Sequence, residues 1–110
     1  MQSFNLKSDM PTVEVAIQRL QNWIKYLPKT EKIVKVIHGY GSTGTGGRIR
    51  QAVRQELETM KTKKQIKEYI PGEALGIPMG YVDIIQKYKA LLVNDPDYHR
   101  TNDGITFIIL

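Results

Sequence analysis

Between residues 38 and 47 the chain reads His38-Gly39-Tyr40-Gly41-Ser42-Thr43-Gly44-Thr45-Gly46-Gly47, and Arg48, Arg50 and Arg54 follow at once. Five glycines and three hydroxyl side chains stand in those ten positions. Glycine lets a backbone take positive φ and turn its N–H groups inward. A helix beginning where such a loop ends adds unpaired N–H groups and the positive end of its dipole. Together these make a site for an anion, phosphate above all. The arginine forks match phosphate oxygens, and Lys35 in the run just before the loop supplies a point charge. The candidate phosphate ligands are therefore Lys35, Gly39, Tyr40, Gly41, Gly44, Gly46, Gly47, Arg48, Arg50 and Arg54. Tyr40 suits stacking on an unpaired base and equally suits packing. His38, with an ordinary pKa near 6.5, is the acid–base candidate of the motif. The alternative for His38 is a structural ring bonded to the loop backbone.

Other chemistries fit less well. A Walker A loop needs a lysine after its second glycine, and none stands there. Gly39-x-Gly41-x-x-Gly44 matches the dinucleotide fingerprint, but the acidic strand end expected some way downstream is missing. Ser42, Thr43 and Thr45 lack a base relay for nucleophilic catalysis. No His and carboxylate cluster has metal-ligand spacing, and His99 falls in a polar stretch that reads as solvated. Cysteine is absent, which excludes disulfides and thiolate metal sites. A small secreted domain often needs disulfides, so the cytoplasm is the expected compartment. The first residues show no signal-peptide core. No apolar run approaches the roughly 20 residues of a membrane helix.

The elements that must position this loop are legible from periodicity. Phe4-Asn5-Leu6-Lys7 alternates and reads as a strand. Thr12 is a plausible N-cap for a helix whose apolar face is Val13, Ile17, Leu20, Ile24 and Leu27, ending near Pro28. Ile33-Val34-Lys35-Val36-Ile37 reads as a central strand buried on both faces, as in parallel pairing. Ile49, Val53, Leu57 and Met60 mark the face of a second helix. Gln65 to Ile70 and Ile105 to Leu110 read as the last two strands. The expected fold is a single α/β domain over residues 1–110, a two-layer β-α-β-α-β-β sandwich with a mixed four-stranded sheet. Residues 71–103 interrupt the plan. Within them, 78–92 is expected to be helical, with Tyr81, Ile85, Tyr88 and Leu92 buried. That face either completes the core or, left free, serves as a lid over the loop or pairs with a second copy of the chain as a homodimer.

Charge is concentrated around the loop. Residues 31–67 hold nine Lys or Arg against three acids, a balance of +6, while the rest of the chain sums to −1. That asymmetry points to a polyanionic partner, DNA or RNA above all. The bland alternative is a solubilising face.

The pattern strand-His38-Gly39-Tyr40-Gly41, glycines, then Ile49-Arg50-x-x-Val53 resembles the Smr (small MutS-related) domain, whose motif is His-Gly-x-Gly followed by a glycine and Leu-Arg-x-x-Val. Thr12-Val13-Glu14-x-Ala16 resembles the start of that family's first helix, and Asn102-Asp103-Gly104-Ile105-Thr106 its last strand. The resemblance spans the chain apart from residues 71–103, which form an insertion. It implies a fold similar to the C-terminal domain of translation initiation factor three. It also implies binding of DNA or RNA and, in many members, endonuclease activity. No cofactor is marked by the residues themselves; a divalent metal such as magnesium comes into question only for a nuclease. The family's first strand reads Leu-Asp-Leu-His, with the Asp and His tied to cleavage. Here Asn5 and Lys7 take those places. An amide cannot act as a base, and an ammonium with a reference pKa of about 10.4 is a poor proton shuttle, although Lys7 can hold phosphate. The expectation is a nucleic-acid-binding domain with weak or absent cleavage; the alternative is a small-molecule phosphate or nucleotide binder.

Overall fold

The computed structural model describes residues 1–9, 11–39 and 45–110. Met10 and the loop residues Tyr40, Gly41, Ser42, Thr43 and Gly44 lie outside the described residues. The chain forms β1 (Gln2–Asn5), α1 (Val13–Lys25), β2 (Ile33–Ile37), α2 (Thr45–Thr62) and β3 (Glu68–Pro71). A 3-10 turn over Gly72–Leu75 follows, then short helices α3 (Val82–Lys87) and α4 (Lys89–Leu92), and finally β4 (Ile105–Ile109). The expected α/β sandwich with a mixed four-stranded sheet is what forms.

The sheet order is β1-β2-β4-β3. β1 pairs with β2 in parallel, with Gln2 opposite Val34 and Asn5 opposite Ile37. β4 is antiparallel to both β2 and β3 and lies between them. β1, β2 and β3 therefore point the same way, and their carboxyl ends share one edge with the start of β4 and of α2. β2 is central as expected, but one of its neighbours is antiparallel. The first strand begins earlier than its alternation suggested. Leu6 still donates to the Ile37 carbonyl, but the Asn5 side chain accepts from the Lys7 N–H at 2.9 Å, an Asx turn that ends the strand.

Alternation along the strands splits the interior into two layers. Val34 and Val36 of β2 and Ile108 of β4 face α1 and α2, where they meet Leu20, Ile49, Val53 and Leu57. Ile33 of β2 and Ile105, Phe107 and Ile109 of β4 face the other way, onto Ala74, Leu75, Ile85 and Leu92 of the insertion. Every residue of β4 is buried for this reason. α1 starts on Thr12, whose hydroxyl accepts from the Val15 N–H, and its Trp23 stacks on Phe4 with ring centroids 5.0 Å apart.

Of the helix expected over 78–92, only 82–87 and 89–92 are helical, in two short pieces broken at Tyr88, and 78–81 form a turn. Ile85 and Leu92 are buried, and Tyr81 and Tyr88 pack against the same layer. That face packs on the sheet, with Tyr81 and Tyr88 only partly buried, while Ile77, Met79, Val82 and Val93 of the insertion stay exposed. Gly72 lets the insertion approach closely: a Cβ there would fall 2.2 Å from the Asn102 carbonyl oxygen. Among the described residues, no helix is long and apolar enough to cross a membrane.

Candidate functional site

The carboxyl edge of the three parallel strands gathers Lys7 after β1, His38 and Gly39 after β2, Glu73 after β3, and Asp103 to Thr106 around the start of β4. α2 enters this edge with Gly46, Gly47, Arg48, Arg50 and Arg54 on its first turns. In open α/β sheets this edge is where ligands bind.

His38 continues the alternation of Val34 and Val36 and points under α2, where it is fully buried. Its Nδ1 lies 3.0 Å from the Gly39 carbonyl oxygen and its Nε2 2.8 Å from the Thr106 hydroxyl. A carbonyl only accepts, so Nδ1 carries the proton and Nε2 accepts from Thr106. Burial, reinforced by the Arg54 and Arg50 charges, lowers the His38 pKa to about 4. The ring is neutral at physiological pH and both its nitrogens are occupied. This is the bonding expected of the structural alternative, and it leaves no ring nitrogen facing a substrate.

Arg54 is fixed as firmly. Its Nε donates to the Thr106 hydroxyl at 3.2 Å, and its two terminal nitrogens grip the Glu73 carboxylate at 2.9 and 2.7 Å. Burial works to raise the Glu73 pKa, but the bonds from Arg54 outweigh it and hold the carboxyl below its usual range. Glu73, Arg54, Thr106, His38 and Gly39 thus form one continuous hydrogen-bonded chain beneath the loop. Glu73 and Thr106 are the members that sequence reasoning missed. The signal for Thr106 was present, as the one polar residue in an otherwise apolar final strand. Nothing local marks Glu73.

The glycine of His-Gly-x-Gly is committed too. The N–H groups of His38 and Gly39 both donate to the Gly104 carbonyl at 3.0 Å, so the Gly39 amide does not face a ligand. Gly39 has φ +87, the left-handed conformation that favours glycine, and a Cβ there would sit 3.4 Å from the Lys7 Cδ. The Lys7 stem therefore lies across Gly39, and its residue is exposed.

Lys35 does not join this group. It projects from the opposite face of the sheet, beside Phe107, and its ammonium pairs with Asp95 at 2.8 Å and Asp97 at 2.7 Å. Burial opposes its charge, but the two carboxylates outweigh that and hold its pKa above the ordinary value. Its residual exposure is 12%, so it anchors the insertion and is withheld from an external phosphate. Asp97 continues the network: Asn102 donates to it and accepts from the Gly104 N–H.

The cations presented outward at this edge are Lys7, Arg48 and Arg50. Arg48 is exposed. Arg50 is partly exposed and pairs with Asp103 at 3.0 Å. The first turn of α2 contains no acid, so these arginines add to the positive helix end rather than offset it. Tyr40, Gly41 and Gly44 lie outside the described residues, and Gly46 and Gly47 stand in the first turn of α2. Among the described residues, no three His, Asp or Glu side chains converge to hold a metal. The nearest carboxylates, Glu73 and Asp103, each face a guanidinium, which makes them a poor donor set for Mg²⁺.

The chain matches no protein-family model, no curated protein and no solved structure. The chemistry of this edge therefore carries the functional argument. Its fixed part is neutral and buried, and its outward part is cationic. Among the described residues, the outward side chains at this edge are cations, and the titratable groups beneath them are held in internal hydrogen bonds.

Proposed function

We propose that this chain is a nucleic-acid-binding domain, similar to the Smr family, that grips phosphates at the start of α2. The observation that carries the reading is the cationic edge of Lys7, Arg48 and Arg50 around an acid-free helix N-terminus. Phosphate contacts of this kind give affinity without reading sequence, and they suit either DNA or RNA. The cysteine-free composition suits a cytoplasmic protein.

Binding ranks above cleavage. Phosphodiester hydrolysis needs proton transfers that a positioned side chain typically accelerates by about 10²–10⁴-fold. Asn5 has its carbonyl oxygen engaged in a turn, and His38 is neutral and doubly bonded. A slow enzyme or none is the expectation.

Filter binding with single-stranded, duplex and branched substrates tests the reading. Retention at low salt should fall steeply between about 50 and 200 mM salt as counterion release is lost, and Lys7→Gln with Arg48→Gln should weaken it. Absence of retention of every substrate at low salt overturns it. A thermal upshift with mononucleotides alone would transfer the site to a small phosphate ligand. Robust cleavage abolished by His38→Ala would establish a nuclease.

A further inference from the structure

The pole opposite the glycine loop carries a second concentration of positive charge. β2 and β3 begin there, β4 ends there, and α1 and α2 both finish there. Lys25, Lys29, Lys32, Lys63, Lys64 and Lys67 all project from this pole, and all six are exposed. At about 3.3 Å per strand residue, β2 holds this pole roughly 20 Å from Gly39.

Three adjoining grooves make five of these lysines, all but Lys64, into a track. Lys25 and Lys63 line the first, beside Gln65. Lys25 and Lys29 line the second, beside Gln65 and Leu110. Lys29, Lys32 and Lys67 line the third, again beside Leu110. Each groove shares a wall residue with the next, so the ammonium groups follow a continuous path.

The neighbouring acids do not neutralise this path by pairing with it. Glu56 accepts from Gln21, Glu58 accepts from the Tyr69 hydroxyl, and Glu68 pairs with Lys61. Glu31 lines the second and third grooves and Glu56 the first, so the track carries two carboxylates against its lysines. Among the described residues, none of the six lysines has an ion-pair partner. Complementing helix C-terminal dipoles accounts for Lys25 in the last turn of α1. It does not account for Lys29, Lys32 or Lys67, which lie on connections. Lys64 even occupies a left-handed position, with φ 61, that glycine or asparagine usually fills after a helix. Tyr26 stands next to the track, 76% exposed, with the Lys25 ammonium 5.5 Å from its ring centre. An exposed ring flanked by cations is the platform on which single-stranded bases stack.

The geometry points to a second phosphate-binding surface at this pole, shaped to track the backbone of a nucleic-acid strand distinct from, or continuing beyond, the one at the loop. Lysine ammonium groups act as directionless point charges, so this surface follows phosphates without reading bases. It stands or falls independently of binding at the loop.

Fluorescence anisotropy with a labelled mixed-sequence oligonucleotide and its duplex tests this. The triple variant Lys29→Gln, Lys32→Gln, Lys67→Gln replaces exposed residues and should keep the wild-type melting temperature. It should weaken binding about tenfold or more at 50 mM salt and lower the slope of log K against log salt by about 2–3. Wild-type affinity and slope in this variant overturn the proposal. So does unchanged nucleic-acid binding with lost binding to phosphatidylserine vesicles, which would assign the track to an anionic lipid surface. The pair Lys7→Gln, Arg48→Gln separates the two surfaces. If the pair is silent and the lysine triple is not, the loop reading fails and this one stands. If the reverse holds, this one fails and the loop reading stands.

Discussion

At His38 the surroundings of the ring, rather than its type, set its protonation. An imidazole next to a glycine loop looks like an acid–base group, but burial and two hydrogen bonds make it a neutral strut between Gly39 and Thr106. Its protonation has a stability cost with a definite sign. The folded pKa of about 4 lies below the unfolded value of 6.5. The unfolded chain therefore takes up the proton first as pH falls. Stability from this group is intact above pH 6.5 and drains away toward pH 4, by on the order of 3 kcal/mol at about 1.4 kcal/mol per pH unit. Urea melts of the wild type and His38→Gln across that range should show the variant losing correspondingly less. Equal losses in the two proteins would contradict this account of His38.

At the scale of elements, the insertion is held to the sheet by polar contacts as well as by its apolar face. Lys35 bonds Asp95 and Asp97, Asp97 bonds Asn102, and Asn102 bonds the Gly104 amide whose carbonyl holds the loop base. Gly72 sits where β3 hands over to the insertion, against Asn102 and Ile105. Gly72→Ala would press a methyl group into backbone. Overpacking of that kind costs about 1–3 kcal/mol, which lowers the melting temperature of a domain this size by roughly 5–15 °C. Thermal denaturation checks it, and an unchanged midpoint would mean that the 102–105 segment yields freely. That Gly72 needs to be glycine was not legible in Pro71-Gly72 as a turn signal, because φ there is ordinary and the constraint comes from a segment thirty positions away.

For the whole molecule, the two apolar layers share β2 and β4 as a common wall. Leu20 lies in the helix-side layer and Leu92 in the insertion-side layer, both fully buried. Leu20→Ala and Leu92→Ala should each cost about 2–5 kcal/mol. Both variants should still unfold in one transition, because losing either layer uncovers a strand face that the other layer needs. Calorimetry distinguishes this from a separable insertion, which would give Leu92→Ala two transitions.

The sequence by itself determined the local elements. The apolar spacing of Val13 to Leu27 and of Ile49 to Met60, the β-branched run Ile33 to Ile37, the Thr12 cap and the glycine-rich strand-to-helix junction all express constraints that act within a turn or two of backbone. It counted the positive charge but gathered it around the loop, whereas Lys32, Lys63, Lys64 and Lys67 of that stretch lie at the opposite pole, where β2 and β3 begin and α2 ends. Only the tertiary structure decided which of those charges face outward. Lys35 meets its aspartates some sixty residues away, Arg54 meets Glu73 across the α2–β3 connection, and His38 meets Thr106 only because β4 inserts between β2 and β3. Whether a cation is spent internally depends on which acid the sheet brings beside it, and periodicity carries no record of that pairing.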